Sequence, residues 1–254
     1  MKFSIITPEY KRPKELERTI NSVLVQDYTN FELIIVNDSP DFDYSELENK
    51  EILKDERIKY FKNEKNMGVN FSRNFALENV SKDSDYIIFL DNDDWLNKKC
   101  LSKAVENIKE NPSYDWYVSN RAYSNDTPVT KNKTNKNTFN YIWDVLILKN
   151  FVGDATHVIN FKKYKDLRYS KSVKLTEEWF YFSQIKEKFY YYNFNSTYQD
   201  VHTNLNLTDV YNKNKKNRID NTFKLYRELI KLKRFNLLIW FIYLPLRIVA
   251  ILLK

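Results

Sequence analysis

The first half of the chain alternates between short apolar runs and segments of helical periodicity. The runs are β-branched or aromatic and bounded by polar residues, and they occupy residues 3–7 (FSIIT), 31–36 (FELIIV), 58–61 (IKYF), 86–90 (YIIFL) and 116–119 (WYVS). Between them, apolar side chains recur at helical spacing, as at Leu16, Ile20 and Val23. Continuous apolar strands that alternate with helices are typical of a mostly parallel sheet covered on both faces. The sequence therefore predicts an α/β fold with a central sheet flanked by helices.

Polar residues follow four of the predicted strands. They lie at Thr7–Tyr10, at Asn37–Ser39, after Phe61 and at Asp91–Asp94. Ligands of mostly parallel sheets bind beyond the carboxyl ends of the strands. These four places are therefore the predicted location of the functional site.

Composition excludes several other kinds of site. The chain has 254 residues but only 2 glycines, Gly68 and Gly153, which excludes a glycine-rich Rossmann or P-loop phosphate cradle. The 1 cysteine, Cys100, excludes an intramolecular disulfide framework and a multi-cysteine zinc site, and it fits a reducing compartment. The apolar run at the N-terminus is too short for a secretory signal. We therefore expect a cytoplasmic protein.

Three carboxylates, those of Asp91, Asp93 and Asp94, follow the fourth predicted strand in the stretch FLDNDDWL. Like charges repel one another, so a positive charge is expected among them. Mg²⁺ and Mn²⁺ prefer carboxylate oxygens and often share them with substrate phosphates. A D-x-D at a strand end can therefore hold a divalent cation that in turn binds a diphosphate. The alternative for this motif alone is structural, with Asp94 capping the next helix.

Three blocks of the chain carry a family resemblance when they are taken in order. They are SIITPEYKRPKELERTINSVLVQDYTNFELIIVND (4–38), NEKNMGVNFSRNFAL (63–77) and DYIIFLDNDDWL (85–96). This series resembles the nucleotide-sugar glycosyltransferases of family 2, which have the GT-A fold. The resemblance covers residues 3–96 and continues more weakly to about residue 210. It implies transfer of a sugar from a nucleotide diphosphate with inversion of the anomeric centre.

The resemblance assigns the nucleotide pocket to residues at the ends of the first two strands. Thr7, Pro8 and Tyr10 would line this pocket, with the ring of Tyr10 beside the base. Asp38 would accept a hydrogen bond from the N–H of uracil, which implies a UDP-sugar donor. The family usually has two aspartates at this point, whereas this chain has Asn37 before Asp38.

The resemblance also assigns the diphosphate end of the donor site. Arg73 would neutralise phosphate or fix the acidic motif. Asp91 and Asn92 would bind the donor, with Asp91 orienting the ribose. Asp93 would be the principal ligand of Mn²⁺ or Mg²⁺, and His202 would complete the metal shell.

Glu177 and Glu178 stand where the family usually has a Glu-Asp pair that opens an aromatic-rich helix. Glu178 matches the position of the catalytic base, and Glu177 would support it. An inverting displacement needs a carboxylate within hydrogen-bond reach of the acceptor hydroxyl. The alternative is a helix N-terminus, with Thr176 as cap and two acids in the first turn. Both interpretations can hold together.

The C-terminal segment is basic, amphipathic and apolar. Residues 213–254 contain 11 Lys/Arg and 2 Asp/Glu, a net charge of +9, which leaves about −2 of the total of +7 for residues 1–212. Residues 222–234 place Phe223, Tyr226, Leu229 and Ile230 on one helical face. Residues 235–253 are apolar but contain Pro245 and Arg247, which disfavours a spanning helix. We expect these helices to lie on an anionic membrane surface. Packing on the body of the protein or on a homodimer partner is the alternative.

These observations predict three regions. Residues 1–97 form the nucleotide-sugar-binding half of a GT-A domain, residues 98–212 the acceptor-binding half, and residues 213–254 the membrane-associating helices. The expected acceptor is a glycan or lipid-linked oligosaccharide of bacterial surface-glycan assembly, handled at the cytoplasmic face of the membrane. Nucleic acid is not expected as a partner, because the body is slightly acidic. The alternatives are a sugar nucleotidyltransferase and a catalytically inactive nucleotide-sugar-binding protein.

Overall fold

The computed structural model of the protein describes residues 1–174, 178–200, 215–233 and 239–253. Most of its strands belong to one mixed sheet. In chain order the strands are β1 (Phe3–Glu9), β2 (Phe31–Asn37), β3 (Ile58–Lys62), β4 (Tyr86–Phe89), β5 (Trp95–Leu96), β6 (Trp116–Tyr123), β7 (Lys131–Asn132), β8 (Thr138–Phe139), β9 (Phe151–Val152), β10 (Ala155–Asn160) and β11 (Phe189–Gln199).

Helices connect these strands and continue beyond the sheet. In chain order they are α1 (Pro13–Leu24), α2 (Ser45–Glu48), α3 (Val69–Glu78), α4 (Cys100–Glu110), α5 (Phe161–Tyr164), α6 (Glu178–Phe182), α7 (Lys215–Lys231) and α8 (Leu244–Leu253). Residues Glu51–Lys54 form a 3₁₀ helix, and Tyr141–Ile147 and Ile239–Tyr243 form π-helical segments.

The direction of the strands determines where the functional residues meet. Within the described residues the main sheet has nine strands, which pair in the order β3-β2-β1-β4-β10-β6-β11-β5, with β8 added on β11. Strands β1 to β4, β6 and β11 run in one direction, and β5, β8 and β10 run against them. The predicted α/β fold with a mostly parallel sheet is thus confirmed. The carboxyl ends of the six co-directional strands lie at one edge.

The central strands bury side chains on both faces of the sheet. Neighbouring residues of one strand, such as Ile5 and Ile6 or Ile34 and Ile35, are fully buried but belong to two different core clusters. Helices α1 and α4 cover one cluster, and α3 covers the other. This two-sided burial explains why the strands read as continuous apolar runs rather than as an alternating pattern.

The segment 125–140 is rich in Asn, Thr and Lys and has no apolar period, but it contains the two short strands β7 and β8. Phe139 in β8 is fully buried and pairs with Phe189 of β11. Strands of two residues are too short to leave a periodic signal in the sequence. The buried ring of Phe139 anchors this segment to the sheet.

The C-terminal helices pack on the body of the protein. The buried residues of helix α7 lie on one face of the helix, and they are Thr222, Leu225, Tyr226 and Leu229. The predicted face is therefore partly wrong, because Phe223 and Ile230 are 40% and 45% exposed. Helix α8 buries Leu244 and Ile251. Of the helices in the described part of the chain, none has the length and apolar character needed to cross a membrane.

Candidate active site

Three carboxylates follow β4, and each has its own arginine partner. Asp91 pairs with Arg73, Asp93 with Arg12, and Asp94 with Arg121. The arginines come from three different elements, because Arg12 follows β1, Arg73 lies on α3 and Arg121 lies in β6. The positive charge that the acidic cluster requires is thus supplied by the chain itself in this structure.

Arg73 and Asp91 form a buried ion pair. The Nη2 atom of Arg73 lies 2.6 Å from Oδ1 of Asp91, and only 3% of the arginine side chain is exposed. Its guanidinium lies 5.0 Å from the centre of the Tyr169 ring, which favours a cation–π contact. Burial disfavours the charged carboxylate, but Arg73 and Arg121 outweigh this effect and lower the pKa of Asp91. Asp91 therefore stays ionised.

Arg121 joins three acids at the carboxyl end of β6. Its Nη2 atom lies 2.9 Å from Asp94 and 3.7 Å from Asp91, and its Nη1 atom lies 3.9 Å from Asp154. Burial raises the pKa of Asp94, Arg121 opposes the shift, and Asp91 contributes to it. Sequence reasoning missed Arg121 and Asp154. Ligands bind beyond the carboxyl ends of parallel strands, and this rule could have found Arg121 from the sequence. Arg121 lies near the end of the fifth apolar run, on a strand that extends four residues beyond the predicted bounds.

The backbone of the acidic loop is held by α1. The hydroxyl of Thr19 lies 2.9 Å from the carbonyl oxygen of Asn92 and 2.6 Å from that of Asp94. The Nη2 atom of Arg18 donates to the carbonyl of Asp93 at 2.6 Å. The side chain of Asn92 turns away and donates to Glu9 at 2.7 Å. Helix α1 thus fixes the backbone of the loop that carries the acidic cluster.

Glu178 lies beside the acidic cluster. Its Oε1 atom is 3.8 Å from Nη1 of Arg73, so one guanidinium faces both Asp91 and Glu178. The side chain of Glu178 is 45% exposed, but the surrounding protein still desolvates the carboxylate and raises its pKa. The positive charge of Arg73 lowers this pKa, and the negative charges of Asp91 and Asp154 raise it. Glu177 and His202, also predicted as site residues, lie outside the described residues.

Asp38 holds the turn before α3. Its Oδ1 atom accepts hydrogen bonds at 2.7 Å from the backbone N–H of Met67 and from Nδ2 of Asn63, and its Oδ2 atom accepts one at 2.7 Å from the N–H of Gly68. Gly68 has φ +94°, and a Cβ atom there would lie 2.9 Å from the carbonyl oxygen of Lys174. The site thus uses one of the two glycines for a turn that no larger residue would fit.

The predicted nucleotide-pocket residues at the end of β1 differ in exposure. Tyr10 is 37% exposed, and Pro8 is half-buried. Thr7 is fully buried, backbone included, in this structure. These three residues share the sheet edge with Asp38 and the acidic cluster.

The charge of this site is unbalanced. Five carboxyl groups (Asp91, Asp93, Asp94, Asp154 and Glu178) surround three guanidinium groups (Arg12, Arg73 and Arg121). Burial raises the pKa of Asp94 to about 8, so Asp94 is largely protonated at neutral pH, and the four other acids exceed the arginines by one negative charge when all four are ionised. A bound cation would offset this excess. Among the described residues, no group of three or more His, Cys, Asp or Glu side chains is arranged to hold a metal ion.

A sheet with an acidic cluster at the carboxyl ends of its strands, next to a desolvated carboxylate, defines the GT-A class of nucleotide-sugar glycosyltransferases. Residues 4–191 match the sequence model described as "Glycosyl transferase family 2". The chain therefore belongs to this family, as the sequence blocks indicated.

Characterised and named relatives resemble parts of the chain. The chain is 40% identical over 108 residues to the "Putative teichuronic acid biosynthesis glycosyltransferase TuaG" of Bacillus subtilis. This alignment covers 42% of this chain and 42% of TuaG. It is 34% identical over 131 residues to the "UDP-Glc:alpha-D-GlcNAc-diphosphoundecaprenol beta-1,3-glucosyltransferase WfgD" of Escherichia coli, which covers 50% of this chain and 49% of WfgD. Alignments with the first curated relatives span less than half of those proteins' lengths.

A solved structure shares the fold. The structure of S. aureus TarS 1-349 in complex with UDP-GlcNAc superposes with a TM-score of 0.71 and 19% sequence identity, over 91% of this chain and 67% of the TarS chain. This likeness confirms the GT-A fold.

Proposed function

We propose that the protein transfers a sugar from a UDP-sugar to a hydroxyl group of a glycan or lipid-linked oligosaccharide, with inversion, in the assembly of a bacterial surface glycan. One observation carries this proposal. Arg73 lies between Asp91 at the donor edge and Glu178, so the groups that would bind the donor and activate the acceptor are brought to one guanidinium.

The donor would enter at the carboxyl ends of β1, β2 and β4. Tyr10 and Pro8 would contact the nucleoside, and Thr7, which precedes them, would line the pocket only where donor binding uncovers it. Asp38 would accept a hydrogen bond from uracil, in addition to those it accepts from Met67 and Gly68. UDP as the nucleotide is supported by the names of two similar proteins, WfgD, which uses UDP-Glc, and TarS, which was solved with UDP-GlcNAc.

The diphosphate would bind where the acids exceed the arginines. Asp93 would be the protein ligand of Mn²⁺ or Mg²⁺, and His202 would be a second ligand. Asp91 would bind the donor beside the cation, and Asn92 would do so after giving up its hydrogen bond to Glu9. Such a cation would neutralise the diphosphate and the leaving nucleotide. Arg12 pairs with Asp93 in this structure, so Arg12 would have to release Asp93 and would then be available to a phosphate.

Glu178 would act as the general base. Desolvation raises its pKa, which makes the carboxylate a stronger base than that of an ordinary glutamate. Its partial exposure leaves room for the acceptor hydroxyl. Glu177 would support this group. Arg73 would keep Glu178 oriented without protonating it, because the guanidinium keeps its own proton.

The acceptor would be presented at a membrane surface. WfgD acts on a diphosphoundecaprenol-linked acceptor by its name. Helix α8 and the π-helical segment before it expose apolar side chains, namely Phe241 (67%), Leu246 (51%), Val249 (51%), Leu252 (56%) and Leu253 (83%). The segment 213–254 also carries a net charge of +9, from 11 Lys/Arg and 2 Asp/Glu. Both features support peripheral attachment to the anionic inner face of the cell membrane.

The proposal is tested by incubating the purified protein with Mn²⁺ or Mg²⁺, a panel of UDP-sugars and an undecaprenyl-diphosphate-linked acceptor in detergent. We expect release of UDP that depends on the acceptor, and a glycosylated lipid product. Release of pyrophosphate from UTP and a sugar phosphate would instead identify a nucleotidyltransferase. Binding of UDP-sugars without any turnover across the panel would identify an inactive binding protein.

A further inference from the structure

The helix that carries Glu178 is held by the C-terminal helices. Helix α6 has five residues, and the residue after Glu178 is Trp179, which is 5% exposed. The ring of Trp179 packs on Tyr226 of α7 at 5.4 Å and on Tyr243 at 5.5 Å between centroids. The guanidinium of Arg247 lies 5.5 Å from the centre of the same ring, as in a cation–π contact. Three residues from beyond position 214 thus enclose the residue next to the base.

Arg247 is itself fixed by hydrogen bonds. Its Nε atom donates to the hydroxyl of Thr222 at 3.3 Å, and its Nη1 atom donates to the hydroxyl of Tyr243 at 3.2 Å. Thr222 is fully buried in the interface of α7. In the sequence, Arg247 argued against a spanning helix; in the structure, it joins α7, α8 and the π-helical segment before α8 over Trp179.

A second contact holds the segment that leads into α6. The carboxylate of Glu228 on α7 accepts hydrogen bonds from the hydroxyl of Ser170 at 2.6 Å and from the backbone N–H of Lys171 at 2.9 Å. Two residues further on, the carbonyl oxygen of Val173 accepts a hydrogen bond from Asn70 of α3 at 2.7 Å. The C-terminal helices therefore contact the chain on both sides of Glu178.

We infer that α7 and α8 are a positioning unit for the catalytic base. An isolated helix of five residues is unstable, so the orientation of α6 has to come from tertiary contacts. A base that moves by about 1 Å from its productive place can cost about 10²-fold in rate. Trp179, Arg247 and Glu228 are positioning residues, because they act through α6. The inference rests on the proposed function, since it takes Glu178 as the base.

The test compares Arg247→Ala with Arg247→Lys and with Arg227→Ala. Arg227 lies on α7 and is exposed, so its removal takes away the same charge without touching Trp179. Two quantities are measured on the full chain: amide hydrogen exchange of residues 178–182, and kcat and KM for transfer alongside the Kd for UDP. Exchange reports on the local opening of α6 independently of turnover.

We expect Arg247→Ala to accelerate exchange in residues 178–182 and to lower kcat by roughly 10- to 100-fold, with the Kd for UDP within about twofold of wild type. Arg247→Lys should recover part of kcat, because the cation over the ring is kept. Arg227→Ala should behave as wild type. Glu228→Ala should repeat the effect from the other side of α6, and Glu228→Gln should do so less strongly, because its amide oxygen still accepts.

Unchanged exchange in Arg247→Ala, or faster exchange with unchanged kcat, would overturn the inference. A change of equal size in Arg227→Ala would do the same, because the effect would then follow surface charge. If the wild-type protein transfers no sugar, it is the proposed function that fails, and the exchange measurement still decides whether α7 and α8 hold α6.

Discussion

The two sides of the candidate site are built in different ways. On the donor side, Asp91, Asp93 and Asp94 follow one strand and are held by a loop whose backbone is bonded to α1. On the acceptor side, Glu178 lies on a five-residue helix that packs on α7 and on the residues around α8. The donor side is thus fixed by β4, which the acids follow, and by α1. The position of Glu178, the proposed base, depends on residues that follow it by about fifty positions or more.

The largest expected effect separates these two sides at Glu178. Glu178→Gln keeps the shape of the side chain and removes its basicity, and a positioned base typically contributes about 10²–10⁴-fold to the rate. We expect kcat to fall by that factor while the Kd for UDP, measured by calorimetry, stays the same. Glu177→Gln is the matched control. A greater loss in Glu177→Gln than in Glu178→Gln would reverse the assignment within the pair.

The second effect tests the donor side at Asp93. Asp93→Ala should lower transfer by about 10²-fold or more and weaken UDP binding, because the diphosphate would face the acids without a bound cation. Chelator should do the same to the wild-type protein. Titration of UDP with and without Mn²⁺ measures both effects. Full activity in chelator would reject the divalent cation and leave Arg12, Arg73 and Arg121 as the cations of the site.

The third effect is a pH dependence that links the two sides. Glu178 works only when ionised, so kcat should rise with pH through its pKa, and burial places that pKa above the ordinary value for glutamate. The charged groups that face it are Arg73 and Arg121, which lower the pKa, and Asp91 and Asp154, which raise it. Asp154→Asn should therefore move the acid limb of the pH–rate profile to lower pH. A shift to higher pH would contradict this electrostatic account.

The smallest expected effect concerns the outer face of the C-terminal helices. Surface attraction is worth about 1 kcal/mol per Lys or Arg near an anionic leaflet. High salt or carbonate should therefore release a good part of the protein from membranes, as measured by sedimentation with anionic vesicles. Neutral vesicles are the control. Binding that is equal on both kinds of vesicle and resistant to salt would show that the basic residues do not contribute.

The sequence was most informative where function follows local order along the chain. The apolar runs predict the strands. Asp38 and the acids after β4 could be predicted as site residues because they directly follow the carboxyl ends of these strands. Pairings between distant positions left no such signal. Arg12 and Arg121 meet Asp93 and Asp94 only because three strands end at one edge. The sequence shows that Arg121 lies near a strand end, but it does not show which acid either arginine contacts.

The C-terminal segment shows the same limit. Its amphipathic period predicts a helix, and the structure has one at α7. The period did not predict which residues face inward, because Phe223 and Ile230 are as apolar as Leu225 and Tyr226. The choice between them is made by the surface that α7 meets, where Trp179 contacts Tyr226. A residue that seemed to concern only the membrane, Arg247, contacts the same ring.

The contacts by which α7 and α8 hold α6 also have a consequence for biosynthesis. A ribosome makes the chain from the N-terminus, and compact regions fold as they emerge. The strands β1 to β4 and β6, which carry the proposed donor side, are complete by Tyr123, whereas Tyr226, Tyr243 and Arg247 are added more than a hundred residues later. The strands of the proposed donor side are therefore made well before the residues that hold Glu178 in place. We expect the growing polypeptide to bind a nucleotide sugar before it can transfer the sugar.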